Sequence, residues 1–169
     1  MDIIEYALNM EKDGKVFYEK AAVSTSNPDL KEILLTLAEE ERIHYEFFSR
    51  LKKDSTDLTA GRILTESSSL DKIKNVFAAL SNNKEGVEQA HDAVSLWTQA
   101  LRLEEKAVRL YRDASGKETD GEKKKLLVLI AGEEENHVQM INVVLMYLKQ
   151  PAAFADSAQF KNFMSLEGR

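Results

Sequence analysis

Apolar residues recur every three or four positions along most of the chain, and no stretch of useful length alternates between apolar and polar residues. This spacing places apolar side chains on one face of an α-helix. Only two prolines and seven glycines interrupt it. The pattern therefore predicts an all-α protein.

Residues that favour helix ends divide this pattern into four long helices. Asp2, followed three residues later by Glu5, is a capping-box pattern that predicts the start of helix A. Asn27 before Pro28 is a strong start signal for helix B. The predicted helices A to D cover about residues 2–24, 28–53, 87–115 and 120–150, and a short C-terminal helix is predicted over 153–163.

A long connection, residues 54–85, joins helices B and C. Its length lets these two helices run parallel, and residues 70–80 within it are predicted to form a short helix. Helix C is predicted to stop near Gly116, and Asp120 to begin helix D. The chain is therefore expected to form a single domain, a four-helix bundle with a long crossover.

The two halves of the chain repeat each other without gaps at an offset of 93 residues. Eleven positions are identical between 7–44 and 100–137, and Asn27 aligns with Asp120. The identical pairs are Ala7 and Ala100, Leu8 and Leu101, Glu11 and Glu104, Tyr18 and Tyr111, Ala21 and Ala114, Lys31 and Lys124, Leu34 and Leu127, Ala38 and Ala131, Glu40 and Glu133, Glu41 and Glu134, and His44 and His137. We therefore expect two similar helical hairpins that pack about a pseudo-two-fold axis.

Each half of the repeat contains a glutamate three residues before a histidine and a second glutamate 30 residues upstream. Positions i and i+3 of a helix share a face, so each Glu-x-x-His motif presents a carboxylate and an imidazole in one direction. The upstream glutamates lie on the apolar stripes of helices A and C and therefore face the core. Buried ionised carboxylates cost several kcal/mol unless cations or protons neutralise them. The sequence therefore predicts a metal site with these ligands: Glu11, Glu41, His44, Glu104, Glu134 and His137.

Small residues, Ala7 and Gly14 beside the first upstream glutamate and Ala100 and Ala107 beside the second, leave room for ions. Two imidazoles and four carboxylates without sulfur suit iron or manganese better than a structural zinc site. Iron is favoured because it is redox-active. The expected cofactor is two iron ions, with manganese or zinc as alternatives, and such ligand sets are typical of di-metal four-helix bundles.

The Glu-x-x-His motif alone is not specific, since His91 also follows a glutamate, Glu88, by three residues. The position 30 residues before Glu88 is Leu58, and His91 has no counterpart at the repeat offset. We therefore interpret His91 as a surface histidine. The remaining glutamates of the two charge runs are interpreted as solvated helix faces: Glu39, Glu40, Glu133 and Glu135.

Tyr18 and Tyr111 follow the upstream glutamates by seven residues, two turns along the same helix face. Two interpretations stay open for these tyrosines. They either hydrogen-bond the ligand carboxylates or act in redox steps, or they simply pack in the core with a satisfied hydroxyl. The other aromatic residues near the motifs are interpreted as core or interface residues: Phe17, Phe47, Phe48 and Trp97.

The composition excludes several classes of function. A formal net charge of −6 argues against nucleic acid and anionic membrane surfaces as partners. The chain has no cysteine, which excludes a thiol nucleophile and any metal centre held by cysteines. There is no signal-peptide pattern and no run of ~20 apolar residues, so a cytoplasmic protein is expected.

Four stretches of the sequence resemble the rubrerythrin family of the ferritin-like superfamily: 7-ALNMEKDGKVFYEKAA-22, 37-LAEEERIHYEFF-48, 100-ALRLEEKAVRLYRDAS-115 and 130-IAGEEENHVQMI-141. The resemblance implies a ferritin-like bundle in which the six candidate residues are the ligands of a non-haem di-iron centre. It also implies reduction of hydrogen peroxide with electrons from a rubredoxin-like donor.

Two features depart from the full family pattern. Without cysteine the chain has no rubredoxin-type domain, so electrons would come from a separate protein. The family's additional glutamate on helix C is replaced by Ala107. The leading hypothesis is thus a di-iron oxidoreductase that reduces hydrogen peroxide or, as a weaker alternative, dioxygen. The rival hypotheses are a non-catalytic metal-binding or iron-oxidising and iron-sequestering protein, and a helical interaction module. A homodimer is compatible with an exposed bundle flank, although no sequence patch specifies one.

Overall fold

The computed structural model describes residues 3–54, 57, 59–66, 69–87 and 90–167. These residues form helices and no strands, so the predicted all-α class is confirmed. The helices are α1 (Ile3–Ser24), α2 (Pro28–Lys53), α3 (Gly61–Glu66), α4 (Leu70–Leu80), α5 (Ala90–Lys117), α6 (Gly121–Lys149), a 3₁₀ helix (Pro151–Asp156) and α7 (Ala158–Met164).

Two helical hairpins make up the bundle. α1 packs along α2, and α5 packs along α6, while the hairpins meet through contacts of α1 with α5 and of α2 with α6. α3 and α4 form the crossover between the hairpins, where α3 touches α2 and α6 and α4 touches α2 and α7. The predicted four-helix bundle of two hairpins with a long crossover is therefore confirmed. None of the described helices is long and apolar enough to cross a membrane.

Side-chain caps begin the second helix of each hairpin. The Asn27 side chain accepts a hydrogen bond from the backbone N–H of Leu30 at 2.9 Å. The Asp120 side chain likewise accepts from the N–H of Glu122 at 2.9 Å and of Lys123 at 3.1 Å. Because such caps satisfy N–H groups that a helix leaves unpaired, α2 and α6 begin where the sequence predicted. The predicted cap of helix A, Asp2, lies outside the described residues.

The ends of the other helices differ from the sequence prediction. α5 continues through Gly116 to Lys117, and its first described residue is Ala90, because residues 88 and 89 lie outside the described part. The predicted short C-terminal helix is present as α7, but α7 covers only the second half of the predicted range, 153–163. A 3₁₀ helix comes first, and then Ser157 caps α7 by accepting a hydrogen bond from the N–H of Phe160 at 3.2 Å. The short helix α3 was not predicted.

Two apolar clusters lie at opposite ends of the bundle. One contains Phe77 and Trp97, and the other contains Phe47 and Phe48. Full burial of a side chain of this size stabilises the fold by about 1.5–3 kcal/mol. Of the aromatic residues interpreted as core or interface residues, Trp97, Phe47 and Phe48 are at most 1% exposed and lie in the core. The fourth, Phe17, is partly buried and packs against the first cluster. Each long helix contributes to both clusters, and its buried glutamate lies between the two contributing segments.

Candidate metal centre

The six predicted ligands lie together in the middle of the bundle. α1 and α5 each contribute one glutamate, and α2 and α6 each contribute a glutamate and a histidine one turn apart. All six side chains are buried, with no more than 5% of each residue exposed. The structure therefore brings together the six side chains that the helical spacing and the internal repeat singled out, and metal binding by them stays a prediction.

The Glu134 carboxylate contacts both imidazole rings. Its Oε1 is 3.1 Å from Nδ1 of His44, and its Oε2 is 3.3 Å from Nδ1 of His137. The two rings are nearly parallel, with centroids 5.2 Å apart and an interplanar angle of 18°. Nδ1 of His44 is also 3.4 Å from Oε2 of Glu11. One carboxylate thus connects the two halves of the cluster.

The second histidine faces two more carboxylates. Nδ1 of His137 lies 3.4 Å from Oε1 of Glu41 and 3.4 Å from Oε2 of Glu104. Each histidine is therefore close to the upstream glutamate of its own helix pair: His44 with Glu11 and His137 with Glu104. The arrangement follows the approximate two-fold symmetry of the repeat.

Several of these facing atoms make no hydrogen bond within the described structure, although nitrogen and oxygen lie 3.1–3.4 Å apart. The buried atoms without such a partner include Oε1 of Glu41, Nδ1 of both histidines and both carboxylate oxygens of Glu134. Buried polar atoms are normally hydrogen-bonded, so a convergent group of this kind requires an explanation. Two ligands that are each about 2.1 Å from one ion lie about 3–3.4 Å apart, so the spacing suits a cation. One atom from each of Glu41, His44, Glu134 and His137 lies within 4.8 Å of the others.

The carboxylates of the cluster influence each other's pKa. Burial raises the pKa of Glu41 well above its usual value, and the adjacent carboxylates of Glu104 and Glu11 raise it further. Burial and the adjacent Glu11 also raise the pKa of Glu134. Burial alone would raise the pKa of Glu104, but the neighbouring His137 outweighs it and lowers that pKa. Like charges at such short range cannot all be ionised without positive charge nearby.

The histidines supply part of that positive charge. Burial alone would lower the pKa of each, but the surrounding carboxylates outweigh it and raise both pKa values well above the usual range. Glu134 and Glu11 have this effect on His44, and Glu104 and Glu134 have it on His137. A bound metal cation replaces such protons, so metal binding at this cluster would release them.

Two tyrosines connect the hairpins at the cluster. The Tyr18 hydroxyl in α1 donates a hydrogen bond to Oε1 of Glu104 in α5, and the Tyr111 hydroxyl in α5 donates to Oε1 of Glu11 in α1. Both tyrosines are completely buried, and burial raises both pKa values, so the hydroxyls keep their protons and act as donors. Of the interpretations left open by the sequence, the structure supports hydrogen bonding to the carboxylates. A redox role stays a prediction.

Glu40 was interpreted as part of a solvated helix face, and this is wrong. Its side chain is only 17% exposed, and its Oε2 lies 2.7 Å from Nε2 of His137. Its Oε1 accepts a hydrogen bond from the hydroxyl of Ser69. The sequence did contain a sign that Glu40 is not simply solvated. Glu40 and Glu133 are identical at the repeat offset, and a solvated position would not require this identity.

The other glutamates of the charge runs differ in exposure. Glu39 is exposed and pairs with Arg42 at 2.8 Å, as expected for a solvated face. Glu133 and Glu135 are half-buried, and Glu135 accepts a hydrogen bond from Nε of Arg112 at 2.6 Å. Glu133 and Glu135 thus lie on a helix face that is only partly solvated.

The histidine with the stray motif is on the surface. The His91 side chain is 98% exposed, which confirms its interpretation. Glu88 and Leu58 lie outside the described residues.

A cavity of about 420 Å³ lies between α1 and α5 and reaches the cluster. Glu11, Glu41 and Glu104 form part of its wall, together with Gly14 and Ala107. The expectation that small residues leave space beside the ligands thus holds at Gly14 and Ala107. The two other small residues, Ala7 and Ala100, are buried in the apolar clusters instead.

This fold and cluster define a class of protein, a ferritin-like four-helix bundle with a buried glutamate and histidine site suited to metal ions. A family model described as Rubrerythrin matches residues 2–137, a range that includes all six cluster residues. The chain belongs to the rubrerythrin family, as the resemblance in its sequence predicted. Comparisons with curated proteins and with solved structures give no significant match.

Proposed function

We propose that the protein is a di-iron carboxylate oxidoreductase that reduces hydrogen peroxide and receives electrons from a separate donor protein. The observation that carries this proposal is the group of buried nitrogen and oxygen atoms that converge without hydrogen bonds. Two iron ions, when bound, supply the two electrons that convert one hydrogen peroxide molecule and two protons into two water molecules. Dioxygen is the weaker candidate for the oxidant.

The contacts within the cluster indicate how the chain would hold two ions. Glu11 accompanies His44, Glu104 accompanies His137, and Glu134 contacts both imidazoles. Tyr18 and Tyr111 hold one oxygen of each upstream glutamate, which leaves the other oxygen directed toward a histidine. These hydrogen bonds orient the carboxylates before any ion binds, which lowers the cost of binding.

The cavity between α1 and α5 would admit the oxidant. It is large enough for a molecule of two oxygen atoms, and three of the ligand carboxylates line it. The apolar clusters on either side limit the access of water along the bundle. Burial of this kind strengthens electrostatic interactions at the site and limits side reactions.

The proposal is tested first by metal analysis of protein purified without added metal, combined with an optical spectrum before and after addition of peroxide. We expect about two irons per chain, and faster oxidation of the ferrous protein by stoichiometric peroxide than by air. Glu41→Ala should lose metal, whereas the control Glu39→Ala, at an exposed position of the same helix, should retain it. Unchanged metal content in Glu41→Ala, or equal rates with peroxide and air, would contradict the proposal.

The alternative candidate is a ferritin-like protein that oxidises or sequesters iron without reducing peroxide in turnover. Ala107, which lines the cavity in place of the family's additional glutamate, favours it. The two functions are separated by asking whether ferrous iron beyond two equivalents per chain is taken up and mineralised. An interaction module with a structural metal would instead keep partner binding after metal removal. A homodimer and a cytoplasmic location stay predictions.

A further inference from the structure

The outer nitrogen of His137 has its own carboxylate partner. Nε2 lies 2.7 Å from Oε2 of Glu40, while Nδ1 of the same ring is 3.3–3.4 Å from three carboxylate oxygens of the cluster. The two ring nitrogens therefore contact different groups. Glu40 belongs to α2 and His137 to α6, so this hydrogen bond joins the two hairpins.

A neutral imidazole has one N–H and one nitrogen lone pair, and a metal ion needs the lone pair. An acceptor at Nε2 keeps the proton on that nitrogen and leaves the lone pair on Nδ1, the atom that faces the cluster. Glu40 is such an acceptor, and the structure records no contact between its carboxylate and the carboxylates of the six candidate ligands. Its role toward a metal ion would therefore be exerted through His137.

The position of Glu40 depends in turn on the crossover. Ser69, the residue before α4, donates its hydroxyl to Oε1 of Glu40. Both residues border a cavity of about 190 Å³. Close packing therefore does not hold the carboxylate on that side, and its orientation depends on its hydrogen bonds to His137 and Ser69.

We propose that Glu40 is a positioning residue of the metal site, which holds His137 with Nδ1 toward the cluster, and that Ser69 links this arrangement to the crossover. The inference rests on the metal-binding part of the proposed function. The inference assigns a positioning residue only to the half of the site that contains His137. In the described part of the chain, His44 contacts carboxylates within 4 Å through Nδ1 alone.

The affinity of the metal-depleted full chain for zinc tests this inference, because zinc binds the same ligand types and is diamagnetic. In competition with a chelator, Glu40→Ala should weaken the binding of one of two zinc ions by about 10- to 100-fold. Glu40→Gln keeps an acceptor and should restore most of this loss. Ser69→Ala should give a smaller loss, and the control Glu39→Ala, which is 57% exposed, should bind zinc as the unmodified chain does.

A second readout separates positioning from a general effect on stability. In the zinc-loaded protein, the Nε2 proton of His137 should exchange slowly and give a low-field NMR signal, which should be lost in Glu40→Ala and retained in Glu40→Gln. Unchanged zinc affinity in Glu40→Ala and Ser69→Ala, or a persistent Nε2 signal without Glu40, would overturn this inference but not the proposed function. If the unmodified chain bound neither zinc nor iron, the proposed function would fail as well. Should Glu40→Ala not fold, the comparison of Ser69→Ala with Glu39→Ala decides.

Discussion

Gly14 in α1 lies directly against the carboxylate of Glu41 in α2. A Cβ atom at position 14 would come within 2.6 Å of Oε2 of Glu41 and 3.2 Å of its carboxyl carbon. Real Cβ atoms do not approach that closely, so a side chain here would displace the carboxylate, which is the flexible end of its side chain. The absence of a side chain in the middle of α1 therefore keeps one candidate ligand in place.

Gly14→Ala is expected to weaken metal binding without weakening the fold. Alanine favours a helix over glycine by up to about 1 kcal/mol, which offsets the displacement of Glu41. Metal content measured after dialysis should fall, while the thermal midpoint of the metal-depleted protein stays within a few degrees. Gly116→Ala is the matched control, because a Cβ there meets nothing within 4 Å. Equal metal content in the two variants would contradict this account.

Glu41→Gln is expected to have opposite effects on stability and on metal binding. The substitution removes a buried carboxylate whose pKa burial and neighbouring carboxylates raise, so the metal-depleted protein should gain about 1 kcal/mol or more in free energy of unfolding. The same variant should lose metal. Urea denaturation and metal analysis measure the two effects, and Glu105→Gln, at an exposed position of α5, should change neither. A loss of stability in Glu41→Gln would argue that the carboxylate has a structural role.

Tyr18→Phe and Tyr111→Phe are expected to have similar effects, because each removes the hydrogen bond to one upstream glutamate. A hydrogen bond to a charged group contributes about 1.5–3 kcal/mol, so each variant should bind metal roughly ten-fold or more weakly. Chelator competition measures this loss. Tyr147→Phe is the control, since its buried hydroxyl has no hydrogen-bond partner among the described residues, and it should be neutral. Similar affinities in all three variants would exclude the proposed role of the hydroxyls.

The pKa values predict that the metal-depleted protein becomes less stable as the pH rises. The carboxylates raise the pKa of His44 and His137 above 6.5 in the folded state, despite the opposing effect of burial. Above about pH 6.5 the folded state therefore binds more protons than the unfolded state, and the free energy of unfolding falls. Glu41, whose pKa is also raised, acts in the same direction from about pH 4.5. Glu104 and Glu40, whose pKa values are lowered, act oppositely and lose their contribution on acidification.

Urea midpoints between pH 6 and pH 9 measure this dependence. Metal-loaded protein should show a weaker fall, because a bound cation takes the place of the protons. His91→Gln, at a side chain that is 98% exposed, should leave the profile unchanged. A midpoint that rises from pH 6 to pH 9 in the metal-depleted protein would contradict the assigned directions.

Ala107→Leu is expected to narrow the cavity between α1 and α5 and to slow the reaction with peroxide. The ligands remain in place, so iron content should stay near two per chain, while the rate of ferrous oxidation falls roughly ten-fold, or about 1.4 kcal/mol in barrier. Leu103→Ala, which widens the same cavity at a side chain that is 42% exposed, should not slow it. Stopped-flow absorbance measures both rates. An unchanged rate in Ala107→Leu would argue for another route to the site.

Local signals in the sequence predicted most of the fold. Asn27 and Asp120 cap the backbone a few residues away, so the starts of α2 and α6 could be read from short segments. The C-terminal helix was less predictable, because its interruption depends on Ser157, a residue that also fits within a continuous helix.

The convergence of the six candidate ligands was also predictable from the sequence. Helical spacing puts residues three apart on one face, and the repeat shows which of several similar motifs belong together. His91 could be set aside for the same reason, since it lacks a counterpart in the other half.

The sequence by itself thus determined the four long helices, the two hairpins and the six residues that meet at the centre. Only the tertiary structure decided the contacts between hairpins. Consecutive side chains of a helix point about 100° apart, so Glu39, Glu40 and Glu41 face three different directions. The run alone does not reveal which of these directions meets a partner from the other hairpin. Glu40 is paired because His137, 97 residues away, approaches it from the other hairpin. The bonds of Tyr18 and Tyr111 to the opposite helix have the same origin, since they depend on how α1 and α5 pack and not on either sequence segment alone.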